Sequence, residues 1–125
     1  MPKEIINNFS RQESRYLELA LNLAKSSAVP RYKHGSVIVK GGRVVSTGIN
    51  KIRNHPDVLI DGNNFSKNDA HVHAEVDAIK KVSSLKGAKI YVARITKGGS
   101  AALSRPCEEC YDAIVSSGIT KIVYT

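Results

Sequence analysis

Two short stretches of the chain carry side chains able to do chemistry together: His73-Ala74-Glu75 and Pro106-Cys107-Glu108-Glu109-Cys110. An imidazole and two thiolates are the donor types of a catalytic zinc, which takes three protein ligands and keeps its fourth position for water. Cys107 and Cys110 stand at i and i+3, so on a helix both sulfurs face one point. In a helix's first turn, the dipole and the orphan N–H groups stabilise thiolate charge and lower the thiol pKa. Pro106 suits such a start, having no N–H to leave unsatisfied. Glu75 is two residues on from His73, away from ligand spacing, so it can stand beside a metal without binding it. That is the place for a general acid/base acting on a zinc-bound water, whose pKa falls to roughly 7.

Taken singly, each motif is weak. His-x-Glu is frequent by chance, and Cys-x-x-Cys opening a helix after a strand suits a dithiol redox pair as well as a metal. A non-catalytic zinc module, closed by a further histidine, is a third reading, and Glu75 argues against it. It is the pairing of the two motifs, each at a helix start, that favours catalysis.

The elements that must position these residues follow from periodicity. Ser10 and Glu13 have capping-box spacing, and Leu17, Ala20, Leu21 and Ala24 repeat at helical intervals, predicting a helix to about Ser27. Residues 36–40 and 43–47 read as strands joined by Gly41-Gly42, a two-residue hairpin turn. Gly48-Ile49-Asn50 closes the second strand. A long polar stretch then runs to residue 72, and a loop of that length is usually functional, so it is expected to wall the site. A second helix is expected from His73 to about Ser83, a strand over 88–95 rich in β-branched and aromatic residues, and a loop over 96–105. A third helix over 107–117 is capped by Gly118, and a last strand runs from Ile119 to Thr125. The predicted fold is α/β, a three-layer α/β/α sandwich on a mixed four-stranded sheet, in one domain spanning 1–125.

Composition narrows the setting. The net charge of +8 attracts anions such as nucleotide phosphates or nucleic acid without choosing between them. No apolar run is long enough for a membrane span, and no signal-peptide pattern opens the chain. Two cysteines three apart suit a metal or redox pair in a reducing compartment, so a cytoplasmic location is expected.

His-x-Glu followed by Pro-Cys-x-x-Cys is the signature of zinc nucleobase deaminases, and the chain resembles the cytidine and deoxycytidylate deaminase superfamily, especially its deoxycytidylate branch. The likeness runs from Gly35 to Tyr124 and rests on Val37-Ile38-Val39, Gly48-Ile49-Asn50, His71-Val72-His73-Ala74-Glu75, Ser104 to Cys110, and Ser117 to Tyr124. It implies Zn2+ held by His73, Cys107 and Cys110, and hydrolytic attack by an activated water at C4 of a cytosine ring. Glu75 then relays the proton to N3 and to the departing amine, and ammonia leaves. It also implies that Asn50 contacts the substrate and that the Ala74 N–H meets the pyrimidine carbonyl. The carbonyl of Arg105, where many relatives have Ser, would face the amino group. His71 is a candidate substrate or phosphate contact, and Arg53, Arg94, Lys97 and Arg105 form a candidate 5′-phosphate group. His34 and His55 are read as surface residues, and Glu108 and Glu109 as solvated charges.

Against the family pattern, the loop before Pro106 looks longer than in compact relatives. The sequence lacks the usual C-terminal strand, which would leave Ile122–Tyr124 as an open edge and favour a homo-oligomer. The substrate implied is a small-molecule cytosine nucleotide or nucleoside, with dCMP favoured. The alternative is cytosine or adenine in single-stranded nucleic acid. The charge supports that alternative, while the absence of Trp and the 6% aromatic content count against a stacking platform.

Overall fold

The computed structural model describes residues 3–5, 11–27, 33–52, 71–96, 98, 100–102, 104, 106 and 108–125. Along them run β1 (Lys3–Ile5), α1 (Arg11–Ala24), β2 (Lys33–Lys40), β3 (Arg43–Ile49), β4 (Lys51–Ile52), β5 (His71–Val72), α2 (Ala74–Lys80), β6 (Lys89–Ile95), β7 (Ala101–Ala102), α3 (Glu108–Ser116) and β8 (Lys121–Tyr124). The main sheet has the order β1-β8-β6-β2-β3, with β7 added on β6. The β2–β3 and β2–β6 pairs are antiparallel, while β8 runs parallel to both β6 and β1. The sheet is therefore mixed, as expected, and two short strands, β1 and β7, join the four that periodicity identifies.

Both faces of this sheet are covered, which is why its strands read as nearly continuous apolar runs. On one face Ile38, Ile90, Val92, Ile122 and Tyr124 pack with Ala78, Leu85 and Ile114 from the α2 and α3 side. On the other, Val37, Val39, Tyr91, Ala93 and Val123 pack with Leu17 and Ala20 of α1. Successive residues of one strand thus serve opposite cores, the period-two alternation of a pleated strand. Each fully buried aliphatic side chain contributes about 1.5–3 kcal/mol, so the three layers hold together mainly through these two clusters.

Two strand glycines set how closely the helices approach. A Cβ on Gly48 would overlap the Ala74 carbonyl oxygen and the Ala78 nitrogen of α2, and one on Gly35 would overlap Ala20 and Ala24 of α1. Each helix thus packs backbone to backbone against the sheet, a frequent meaning of glycine inside a strand. At the hairpin, Gly41 and Gly42 both have positive φ, 60° and 75°, as the two-residue turn requires.

Three expectations change. The second helix ends at Lys80 rather than near Ser83, because the Lys81 and Val82 N–H groups turn back to Ala78 and Ile79. The base of the long polar stretch is closed by a two-residue antiparallel ladder, Lys51 with Val72 and Ile52 with His71. The largest correction concerns the edge of β8. The chain's own β1 covers it in parallel, pairing Lys3 with Lys121, Glu4 with Ile122 and Ile5 with Val123. Ile122 and Val123 are therefore not an open edge, and the ground on which a homo-oligomer was expected is gone. Among the described residues, no helix is long and apolar enough to cross a membrane.

Candidate active site

His73 is the N-cap of α2, with extended backbone at φ −75° and ψ 147°. The next residue opens the helix, so His73, Ala74 and Glu75 project from one helix end. Cys110 lies in the first turn of α3 and is buried. The two helix starts meet: His73 Nδ1 and Cys110 Sγ are 3.0 Å apart. Cys107, like Arg105, Arg53, His55 and Lys97, lies outside the described residues. His71 lies on β5, two residues before His73.

Glu75 is only 5% exposed. Burial pushes its carboxyl above the ordinary range. Its own backbone N–H, the nearby His73 and a hydrogen bond with the Cys110 thiol pull the other way without cancelling the rise. A carboxyl that keeps its proton more readily than a surface one, beside converging sulfur and imidazole donors, has the makings of a proton carrier. Thiolate with imidazole is also a donor set that suits zinc, so these residues fit the metal that the two motifs imply.

Asn50 is buried and held from several sides. Its N–H donates to the His34 carbonyl at 3.2 Å, and its own carbonyl accepts the Ser27 hydroxyl at 2.8 Å. The side-chain Oδ1 accepts the His34 N–H at 2.9 Å. The Asn50 Oδ1 is thus committed to the backbone of β2. Ser27, read from the sequence only as a helix end, thus anchors the Asn50 backbone.

The helix carrying His73 and Glu75 is fastened to the sheet through its carbonyls. Ser36 on β2 donates to Ala74 O and Ser46 on β3 donates to Ala78 O, each at 2.7 Å and one helical turn apart. Asp77, also on α2, accepts the Ile49 N–H at 3.2 Å and the Lys51 ammonium at 3.1 Å. Burial alone would raise the Asp77 carboxyl, but Lys51, the Ile49 N–H and Lys81 together outweigh it and hold the group below the usual carboxylate range.

On the α3 side the fastening is through the loop before the helix. Ser104 donates to Val92 O at 2.8 Å, and its N–H donates to Thr125 O at 2.9 Å. The Thr125 N–H reaches Ser104 Oγ at 3.0 Å, and its hydroxyl donates to Ala102 O at 2.6 Å. Pro106, two residues further on, is buried. Sequence reasoning passed over Ser36, Ser46, Asp77, Ser104 and Thr125. At Ser36, Ser46 and Thr125 the available signal was a polar residue within or just after an apolar strand, which must find a partner when buried.

The chain is similar to several known proteins. Residues 10–125 match the family described as the cytidine and deoxycytidylate deaminase zinc-binding region. The deoxycytidylate deaminase of Enterobacteria phage T2 is 30% identical over 156 aligned positions, covering 89% of this chain and 78% of the phage protein. The dCMP deaminase of cyanophage S-TIM5 has a similar structure, with a TM-score of 0.69 at 22% identity over 93% of this chain and 84% of that one. A transfer-RNA deaminase that performs A-to-I editing at the wobble position has a TM-score of 0.56 at 26% identity, over 90% of this chain and 75% of that one.

Proposed function

The chain belongs to the cytidine and deoxycytidylate deaminase family and is a deaminase, and we propose that it hydrolyses the exocyclic amine of a cytosine nucleotide. The favoured substrate is dCMP, with dUMP and ammonia as products. The observation that carries this reading is the buried Glu75 carboxyl at the point where His73 Nδ1 and Cys110 Sγ converge. The phage T2 relative, covered over most of its length and named for dCMP, supports the choice of substrate. So does the cyanophage S-TIM5 enzyme, solved in complex with dCMP and dUMP.

In this reading His73, Cys107 and Cys110 would hold the zinc, which when bound supplies a water that ionises near neutral pH. Glu75 moves the protons. Its carboxylate takes one from the attacking water, delivers it to ring N3, and serves the departing amine in turn, which balances water consumed against ammonia released. Its burial keeps the proton on the carboxyl between these transfers. Asn50, held by Ser27 and His34, contacts the substrate. Ala74 is the first residue of α2, so its N–H has no partner within the helix ladder, and in this reading it meets the pyrimidine carbonyl. Arg105 and His71 complete the candidate substrate contacts.

The test is Glu75→Gln, which keeps shape and removes the proton carrier. The variant should retain zinc while kcat on dCMP falls by about 10²–10⁴, the usual worth of a general acid/base. A variant that keeps zinc and most of its activity would refute the role given to Glu75. A second reading, action on single-stranded nucleic acid, draws on the net charge of +8. It predicts that a cytosine-containing oligonucleotide is deaminated faster than dCMP.

A further inference from the structure

We propose that Asp77 is a positioning residue, setting where Asn50 stands relative to Glu75. The inference rests on the reading above, in which Asn50 contacts the substrate.

Nothing in the sequence singles out Asp77. In the structure its side chain is only 12% exposed and reaches off α2 to the end of the hairpin. Oδ2 accepts the Ile49 N–H at 3.2 Å and Oδ1 accepts the Lys51 ammonium at 3.1 Å. Those two residues are the chain neighbours of Asn50 on either side. One carboxylate therefore grips the backbone before Asn50 and the side chain after it.

Asn50 itself is bonded to other elements. Its N–H and Oδ1 bind the His34 backbone on β2, and its carbonyl accepts Ser27 at the end of α1. Asn50 thus sits between two clamps, one of which, through Asp77, ties its chain neighbours to the helix that carries His73 and Glu75. Asp77 is rigidly linked to those residues, because its own N–H bonds His73 O at 2.9 Å. The third contact, with Lys81 at 3.3 Å, is a common i,i+4 helix pair. Such a pair explains that contact alone, since the other two leave the helix. The carboxylate stays ionised at neutral pH with Lys51 and Lys81 beside it, so the grip is charge-assisted.

If Asp77 acts through Asn50, losing either should weaken substrate binding, and losing both should be little worse than losing Asn50. The experiment measures kcat and KM on dCMP for Asn50→Ala, Asp77→Ala, Asp77→Asn and the Asn50→Ala/Asp77→Ala double variant, with zinc content and thermal unfolding recorded for each. Asp77→Ala should raise KM about tenfold with kcat and zinc content little changed. The double variant should fall within about twofold of Asn50→Ala, the non-additivity of residues that act as a unit. Asp77→Asn still accepts the Ile49 N–H and should give an intermediate KM. Should Asp77→Ala fail to fold, the same cycle is run with Asp77→Asn.

Additive effects on KM would overturn the proposal, as would a loss of zinc and kcat with KM unchanged, the pattern of a merely structural residue. If Asn50→Ala leaves KM unchanged, Asn50 makes no substrate contact and this inference falls while the deaminase reading stands. A wild-type chain inert on every cytosine nucleotide would instead refute the functional reading itself.

Discussion

The two halves of the site are built to different plans. The α2 half is held by its own helix: Ser36 and Ser46 bind the carbonyls of Ala74 and Ala78, Gly48 lets the backbone press on the sheet, and Asp77 reaches back to the hairpin. The α3 half is held upstream of its helix, where Ser104 and Thr125 knit the loop before Pro106 to the ends of β6, β7 and β8. One half is fixed through the element that carries the chemistry and the other through the approach to it. Damage to the first should therefore displace Glu75 and His73 directly. Damage to the second should loosen Cys107 and Cys110 and show first as lost metal.

The largest effect that would sharpen this contrast is expected at Gly48→Ala. The added Cβ overlaps backbone atoms of α2, which cannot move aside as a flexible side chain can, so a cost of about 3 kcal/mol follows from overpacking. Chemical denaturation would measure it, and kcat should fall even with zinc bound. A stable, fully active variant would break the claim that α2 is fastened through its backbone.

Next is Ser104→Ala, which removes the Oγ bonds to the Thr125 N–H and the Val92 carbonyl while leaving those two groups bonded to each other at 3.2 Å, at about 1–2 kcal/mol for the two bonds together. Its signature should be reduced zinc content with kcat per bound zinc unchanged. A fall in kcat at full zinc occupancy would erase the difference between the halves.

Ser46→Ala should cost less, about 1 kcal/mol, since the Ala78 carbonyl keeps its place in the helix. The expected readout is a lower unfolding midpoint with nearly normal zinc content.

The smallest effect is seen only in alkali. Tyr91, in the α1-facing core and 4.9 Å from the Tyr16 ring, is pushed up to about 12 by burial, with Glu13 and Tyr16 adding to the rise. Because the folded state favours the neutral phenol, this stability is whole below pH 10 and is lost as pH rises toward 12. Tyr91→Phe should flatten that decline, as a pH series of thermal melts would record.

Much of this architecture is legible in the sequence because long periodic segments announce themselves. The alternation through Val37-Ile38-Val39 and Ile90-Tyr91-Val92, the Gly41-Gly42 turn and the helical repeat from Leu17 to Ala24 all survive in the structure. His73, Glu75 and Cys110 stand out in the sequence because their types and spacing are rare together, and the structure brings them side by side. What stayed hidden has physical reasons. β1 is three residues long with no hydrophobic period, and it pairs with the far end of the chain, a contact without local trace. β4 and β5 are two residues each and close a stretch of eighteen residues, 53–70. β7 is Ala-Ala, which carries little strand preference. Ser36, Ser46 and Asp77 read as ordinary polar residues because their meaning depends on a helix that packs from elsewhere.

The central claim is that this chain turns a cytosine nucleotide into its uracil form. The most direct measurement follows ammonia and product together for the zinc-loaded protein offered dCMP, deoxycytidine, cytidine and a cytosine-containing oligonucleotide. The account predicts dUMP and ammonia in equal amounts, with dCMP turned over fastest. Preference for the oligonucleotide, or no ammonia from any of the four, would contradict it.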